Sequence, residues 1–321
     1  MSRRLHTAFL VALAAAPLLA QTEQQQQQRM TDSVSVGYVM IPFTPLSNKG
    51  IPIVDVKPQE VQLLVDGQPV PSDMFEKSTN APVSFTILLD SSGSMALAGK
   101  MDAARAAVGA LLAHRHAGDD FALYVFSDTE AREVVPFTEE PAKITRALGD
   151  VKPYGKTAFF DALATMPERS RLGKNASRAI ILLSDGIDNA STLTRGALAR
   201  MLQGVAVPIY PLGIRDPHEM PSGKREELSD LDLLREVANL TGGKLTLGNE
   251  PQQIALAVAS LEKDLRAQYL IGFTPTGHGA VKYREISLKL SGRIRSVRVR
   301  AGYLGTEPPL IASKRNERKR S

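Results

Sequence analysis

Val83-Ser84-Phe85-Thr86-Ile87-Leu88-Leu89 runs straight into Asp90-Ser91-Ser92-Gly93-Ser94. The first seven residues are β-rich and nearly continuous in apolarity, the pattern of a strand covered on both faces. The five that follow are a turn sequence crowded with side-chain oxygens. Behind them, Met101, Ala104, Val108, Leu111 and Leu112 recur at helical spacing. Phe121 to Phe126 then reads as a strand, Ala158 to Met166 as a helix stopped by Pro167, and Ala179 to Leu183 as a second buried strand. A helix at Thr194 to Leu202, a strand at Val207 to Leu212 and a helix at Leu228 to Leu240 continue the series. Strand–helix alternation over residues 81–250 predicts an α/β domain with a Rossmann-like, doubly wound, mostly parallel sheet.

The texture differs on either side. Residues 33–80 carry short alternating segments, Ser33-Val34-Ser35-Val36 and Val61-Gln62-Leu63, punctuated by Asn48-Lys49-Gly50 and Asp66-Gly67. Alternation bounded by turn residues predicts half-buried antiparallel strands. Residues 251–304 open with a helix marked by Ile254, Val258, Leu261 and Leu265. Strands at Tyr269 to Phe273, Ile286-Leu288-Leu290 and Val297-Val299-Ala301-Tyr303 follow, the last with Arg298 and Arg300 on the solvent side. The two flanks are expected to meet as one β-sandwich beside the α/β domain.

The ends are of other kinds. Arg3 and Arg4 precede an apolar run from Ala8 to Leu19 that closes on Ala20, the layout of a secretory signal over residues 1–20. A glutamine-rich linker spans 21–32 and a basic tail 305–321. Of the formal charge of +5, the two signal arginines supply +2, and the five cations from Lys314 on, set against Glu317, supply +4. The body of the chain is therefore close to neutral, so no specific nucleic-acid partner is expected, and the tail offers at most weak contact with an anionic envelope surface. With no cysteine in the chain, a disulfide framework, a thiolate metal site and a cysteine nucleophile are all excluded. The expected location is secreted, periplasmic or on the cell envelope.

Three loops carry the chemistry: Asp90 to Ser94, Gly155-Lys156-Thr157-Ala158, and Ser184-Asp185-Gly186-Ile187-Asp188-Asn189. Each follows a predicted strand or opens a helix, and in open α/β sheets ligands bind outside the carboxyl ends of the strands. Hydroxyl and carboxylate oxygens suit Mg2+, and also Mn2+ or Ca2+. The alternation Asp90-x-Ser92-x-Ser94 aims three oxygens at one point, with Gly93 read as the residue that allows the tight turn. Two carboxylates just balance a dication, and the remaining ligands are neutral hydroxyls. Such an ion stays electrophilic toward an outside carboxylate.

Asp90-Ser91-Ser92-Gly93-Ser94-Met95, Thr157-Ala158-Phe159-Phe160-Asp161-Ala162-Leu163 and Leu183-Ser184-Asp185-Gly186-Ile187-Asp188-Asn189 together resemble the metal-ion-dependent adhesion site of von Willebrand factor type A domains. The resemblance implies an Mg2+ site made by Asp90, Ser92, Ser94, Thr157 and Asp185. Ser92, Ser94 and Thr157 would bind directly, Asp90 and Asp185 largely through water, and an Asp or Glu of a protein ligand would fill the open position. Leu234 to Lys244, Gln268 to Pro275 and the late Gly302-Tyr303 are similar to exported bacterial proteins of this family, especially a group common in Acidobacteria. Lys156 stands where the family often has a second glycine, placing a cation beside the loop.

The expected function is therefore an exported, non-catalytic, metal-dependent protein-binding module for adhesion or complex assembly. The alternative is a metal-dependent hydrolase acting at the same edge. No Gly-x-Ser-x-Gly elbow and no Gly-x-x-x-x-Gly-Lys loop accompany the serines. The histidines, His114 and His116 among them, lack metalloprotease spacing and read as surface residues. Asp161 is read as a helix-start charge, and Asp188 and Asn189 as supports of their own loop.

Overall fold

The computed structural model describes residues 38–78, 81–214, 224–248, 251–275, 280–306 and 308. The signal 1–20, the linker 21–32, the Ser33–Val36 segment and the basic residues from Lys314 on lie outside them. Four short strands lead in: β1 (Val39–Leu46), β2 (Val61–Val65), β3 (Gln68–Pro69) and β4 (Met74–Lys77). The decisive apolar run is β5 (Val83–Asp90), followed by α1 (Lys100–Ala113), β6 (Asp120–Phe126), β7 (Arg132–Thr138) and α2 (Pro141–Asp150). Next come α3 (Phe159–Ser170), β8 (Ser177–Ser184), α4 (Arg195–Leu202), β9 (Ile209–Ile214), α5 (Lys224–Thr241), β10 (Thr246–Gly248) and α6 (Pro251–Arg266). β11 (Tyr269–Phe273), β12 (Lys282–Leu290), β13 (Ser296–Val299) and β14 (Gly302–Gly305) end the described chain.

A six-stranded sheet in the order β10-β9-β8-β5-β6-β7 forms the centre, parallel except for the β6–β7 pair. Its inner strands β5, β6, β8 and β9 are apolar along most of their length because both faces are covered. Phe85, Ile87 and Leu89 of β5, with Ala179, Ile181 and Leu183 of β8, face α1 and α6. Leu88, Ile180 and Leu182 face the opposite way, against α3, α4 and α5. The period-two division of side chains thus builds two cores from one sheet.

The flanks do meet. β1, β4, β11 and β13 form one four-stranded antiparallel sheet, and β2, β3, β12 and β14 another. Phe43 and Ile41 of β1 share a single core with Leu63 and Val65 of β2, Tyr269 and Phe273 of β11, and Tyr303 of β14. Phe43 stacks on Tyr269 at 5.7 Å, and Phe273 meets Tyr303 edge-on at 5.8 Å. The Asp66-Gly67 turn joins β2 to β3 with φ of 51° and 74°, the doubly left-handed geometry that tight hairpins require.

Three local expectations change. β7 and α2 fill the stretch between Phe126 and the second loop, for which the sequence reading proposed no element. β7 is an edge strand carrying Pro136, whose missing N–H an edge position readily accommodates. Pro167 does not stop α3, since Met166 and Ser170 are fully buried and hold the last turn in place. Finally, Val297 to Tyr303 is two strands in two sheets rather than one. Arg300 lies at the crossing, buried instead of solvent-facing, and burial pushes its guanidinium down to about 10.

Candidate functional site

β5 leaves the sheet between β6 and β8, with Asp90 opposite Phe126 and Leu89 opposite Leu183. From β5 the chain first builds outward through β6 and later returns on the other side as β8, so the β5–β8 boundary is the switch point where such sheets open a crevice. Asp90 ends β5 and Ser184 ends β8, which brings the first and third loops side by side. Ser184 Oγ donates to Asp90 Oδ2 at 2.7 Å, and the Ser92 amide donates to Asp90 Oδ1 at 2.9 Å. Asp90 is fully buried and Asp185 nearly so. Ser92 Oγ lies 3.1 Å from Ser94 Oγ.

The second loop is tied to both others. The Gly93 amide donates to the Gly155 carbonyl at 3.0 Å, and the Thr157 amide donates to Asn189 Oδ1 at 2.8 Å. The amides of Asn189 and Ala190 in turn donate to the Thr157 carbonyl, each at 3.0 Å. Gly93 has no left-handed backbone, contrary to the turn role read from sequence. It is small because a Cβ there would meet the Gly155 carbonyl at 3.1 Å. Close approach of two loops, not turn geometry, is what this position requires.

α3 begins without a capping side chain of its own. The third loop supplies one from a distance: Asp188 Oδ1 accepts from the Phe159 amide at 2.9 Å, and Ser191 Oγ accepts from the Phe160 amide at 2.9 Å. Asp161, in the first turn of α3, accepts from the amides of Thr192 and Leu193 at 2.8 and 2.9 Å. Burial opposes its charge, but these hydrogen bonds prevail and hold the carboxyl below its ordinary range. Asp161, Asp188 and Asn189 thus fasten the second loop to the third.

The sequence reading missed Lys100, the first residue of α1. Its Nζ donates to Asp185 Oδ2 at 3.1 Å, and the two side chains are only 5% and 4% exposed. Lys156, the cation expected beside the first loop, is exposed. The missing signal was spacing: Lys100 stands four residues before Ala104, on the same buried stripe as Val108 and Leu111.

Burial pushes the Asp90 carboxyl up to about 6, against the hydrogen bonds from Ser92 and Ser184, and the Asp185 carboxylate adds to the rise. A folded-state value above the unfolded one means that the folded chain keeps a proton the unfolded chain has released. The contribution of Asp90 is then fully present below about pH 4 and lost as pH rises through about 6. In chelator, Asp90 should cost about 2 kcal/mol on going from pH 4 to pH 7, taking ~1.4 kcal/mol per unit. Urea unfolding of wild type and Asp90→Asn across that range checks this; equal slopes would refute it.

The donor set can be tested against a hard cation. Two neighbouring ligands of an octahedral ion at about 2.0–2.1 Å lie about 2.9 Å apart. The 3.1 Å between Ser92 Oγ and Ser94 Oγ is close to that spacing. Among the described residues no group of three or more His, Cys, Asp or Glu is arranged to hold an ion, so hydroxyls have to complete any shell here. The paired hydroxyls fit a hard cation in spacing and in chemistry.

Residues 85–187, which contain all three loops up to Ile187, match the family model described as the von Willebrand factor type A domain. Over that stretch the chain is similar to type A domains. It is also 24% identical over 159 residues to an uncharacterized protein of Borreliella burgdorferi, covering 45% of this chain and 46% of that protein. The chain therefore spans less than half the length of that relative. Among solved structures, a von Willebrand factor type A protein from Catenulispora acidiphila is similar over 82% of this chain and 73% of its own, with 17% identity and a TM-score of 0.47. An aerotolerance-related membrane protein from Bacteroides fragilis, carrying multiple mutations to serines, is similar over 57% of this chain and 98% of its own, with 20% identity and a TM-score of 0.45. The von Willebrand factor domain of the type V pili tip protein Mfa5 from Porphyromonas gingivalis covers 56% of this chain and 93% of its own, with 14% identity and a TM-score of 0.44.

Proposed function

We propose that the type A domain is an exported, non-catalytic module that binds a protein carboxylate through a divalent ion held by Asp90, Ser92, Ser94, Thr157 and Asp185. The observation that carries this reading is the convergence of three loops at the β5–β8 switch point, with paired serine hydroxyls beside two buried carboxylates. Mg2+, or Mn2+ or Ca2+ in its place, would supply Lewis acidity toward an incoming carboxylate. Ser92, Ser94 and Thr157 would present neutral oxygens, while Asp90 and Asp185 would supply the balancing charge.

The surroundings suit docking. Leu97, three residues past Ser94, is 63% exposed, and Tyr154, whose amide donates to the Ser91 carbonyl, is 61% exposed. Exposed Lys156 follows Tyr154 closely and adds attraction for an acidic partner. The three loops contain no histidine, and their carboxyl groups are each taken up in hydrogen bonds: Asp90 with Ser92 and Ser184, Asp185 with Lys100, Asp188 with the Phe159 amide. Export rests on the charged and apolar pattern of residues 1–20, with a location outside the cell or in its envelope. No described helix is long and apolar enough to cross a membrane.

Calorimetric titration of the purified chain with Mn2+ tests the reading. One ion per chain is expected, released by chelator. Absence of uptake at millimolar Mn2+ would reject it.

A further inference from the structure

We propose that Lys100 is a resident cation that competes with the divalent ion and makes its uptake depend on the incoming carboxylate. This inference rests on the metal-binding reading of the same loops. A lysine at the first residue of a helix is electrostatically misplaced, because the helix N-terminus carries partial positive charge. Its ammonium is also nearly removed from water, which is costly for an unpaired charge. Asp185 offsets both penalties with the 3.1 Å contact to Oδ2, while its Oδ1 accepts from the Ile187 amide at 3.3 Å. Both oxygens of Asp185 are thus engaged, and one of them is held by a charge.

The charge count gives the consequence. Lys100 places one positive charge beside the candidate ligand Asp185, so a dication arriving there meets surroundings one unit more positive than it would with a neutral residue at position 100. A carboxylate from outside gains correspondingly more by following the ion. Lys100 thereby lowers affinity for the ion by itself and raises the coupling between ion and carboxylate. That coupling is reciprocal: each ligand tightens the other by the same factor. A module of this kind would hold its ion firmly only when a partner is present.

Mn2+ titrations of the full chain, with and without excess acetate as the carboxylate probe, separate the outcomes. Lys100→Gln should bind Mn2+ about tenfold more tightly than wild type, a coupling of the usual allosteric size, and should lose most of the acetate enhancement seen in wild type. Lys100→Arg, which keeps the charge, should behave as wild type. Lys100→Met takes the place of the Gln variant if the latter does not fold. Melting in chelator gives an independent readout: both neutral variants should melt below wild type, since Asp185 loses its partner. Wild-type uptake matched by Lys100→Gln, with equal acetate enhancement, overturns the role of Lys100 and leaves the metal reading intact. No uptake by any variant overturns both.

Discussion

Gly243→Ala should cost the protein about 3 kcal/mol or more, a large share of the 5–15 kcal/mol typical of a folded domain. α5 ends in the turn Thr241-Gly242-Gly243. Gly242 is left-handed at φ 80°, and the Gly243 amide donates to the Ala238 carbonyl at 2.9 Å, closing the helix in the Schellman manner. Thr241 Oγ1 donates to the Val237 carbonyl and accepts from the Ile209 amide, which pins the turn to the start of β9. Gly243 then lies so close to β9 that a Cβ would stand 1.8 Å from the Ile209 carbonyl oxygen and 2.6 Å from its carbon. Those are backbone atoms of a central strand paired to β8, so they cannot step aside without breaking the sheet. The same substitution at Gly109, exposed within α1 and with nothing inside 4 Å of its Cβ position, should instead stabilise by about 0.5–1 kcal/mol. Thermal melts of the two variants should therefore move in opposite directions, with Gly243→Ala lower by roughly 10 °C. A Gly243→Ala protein melting with wild type would refute a tight junction between β9 and the turn.

Strong local patterns carried most of this architecture in the sequence, and weak ones hid the remainder. Val83–Leu89 and Ala179–Leu183 were legible because a strand covered on both faces has to be apolar at every position. β7 and α2 were not, since an edge strand is half solvated and α2 buries only Ile144 and Leu148. Alternation across Val297 to Tyr303 misled because the chain changes sheets at Arg300 and Ala301, where the facing rule restarts. The union of the two flanks into one sandwich was inferred from symmetry of texture. Its register, Phe43 opposite Tyr269 on one side and opposite Val299 on the other, is a matter of long-range packing that no local pattern encodes. At the loop cluster, the oxygen-bearing residues stood out through their spacing in the chain. Lys100 did not, because a lysine opening a helix is ordinarily a solvated end. Only the three-dimensional meeting of α1 with the loop after β8 turns it inward.

Asp90→Asn should separate the binding function from stability. The Asn side chain keeps an oxygen to accept from the Ser92 amide, so the loop has a reason to hold its shape. What disappears is a negative charge in a fully buried place. If Asp90 balances a divalent ion, Mn2+ affinity should fall by about 100-fold or more, at or beyond the upper end of what loss of an outer partner costs a metal site. In chelator at pH 7 the same variant should be more stable than wild type, by about 1–3 kcal/mol, because wild type has to ionise a carboxyl whose value burial has pushed up to about 6. The gain should vanish near pH 4, where Asp90 is largely protonated in the folded chain. Saturating Mn2+ should reverse the order at pH 7, stabilising wild type and leaving Asp90→Asn unchanged. A carboxylate kept for structure alone would give the opposite result: Asp90→Asn would be no more stable in chelator, and Mn2+ would shift the melting of both proteins equally or of neither. A buried acid that weakens the empty protein and strengthens the loaded one is the mark of a residue retained for its ligand.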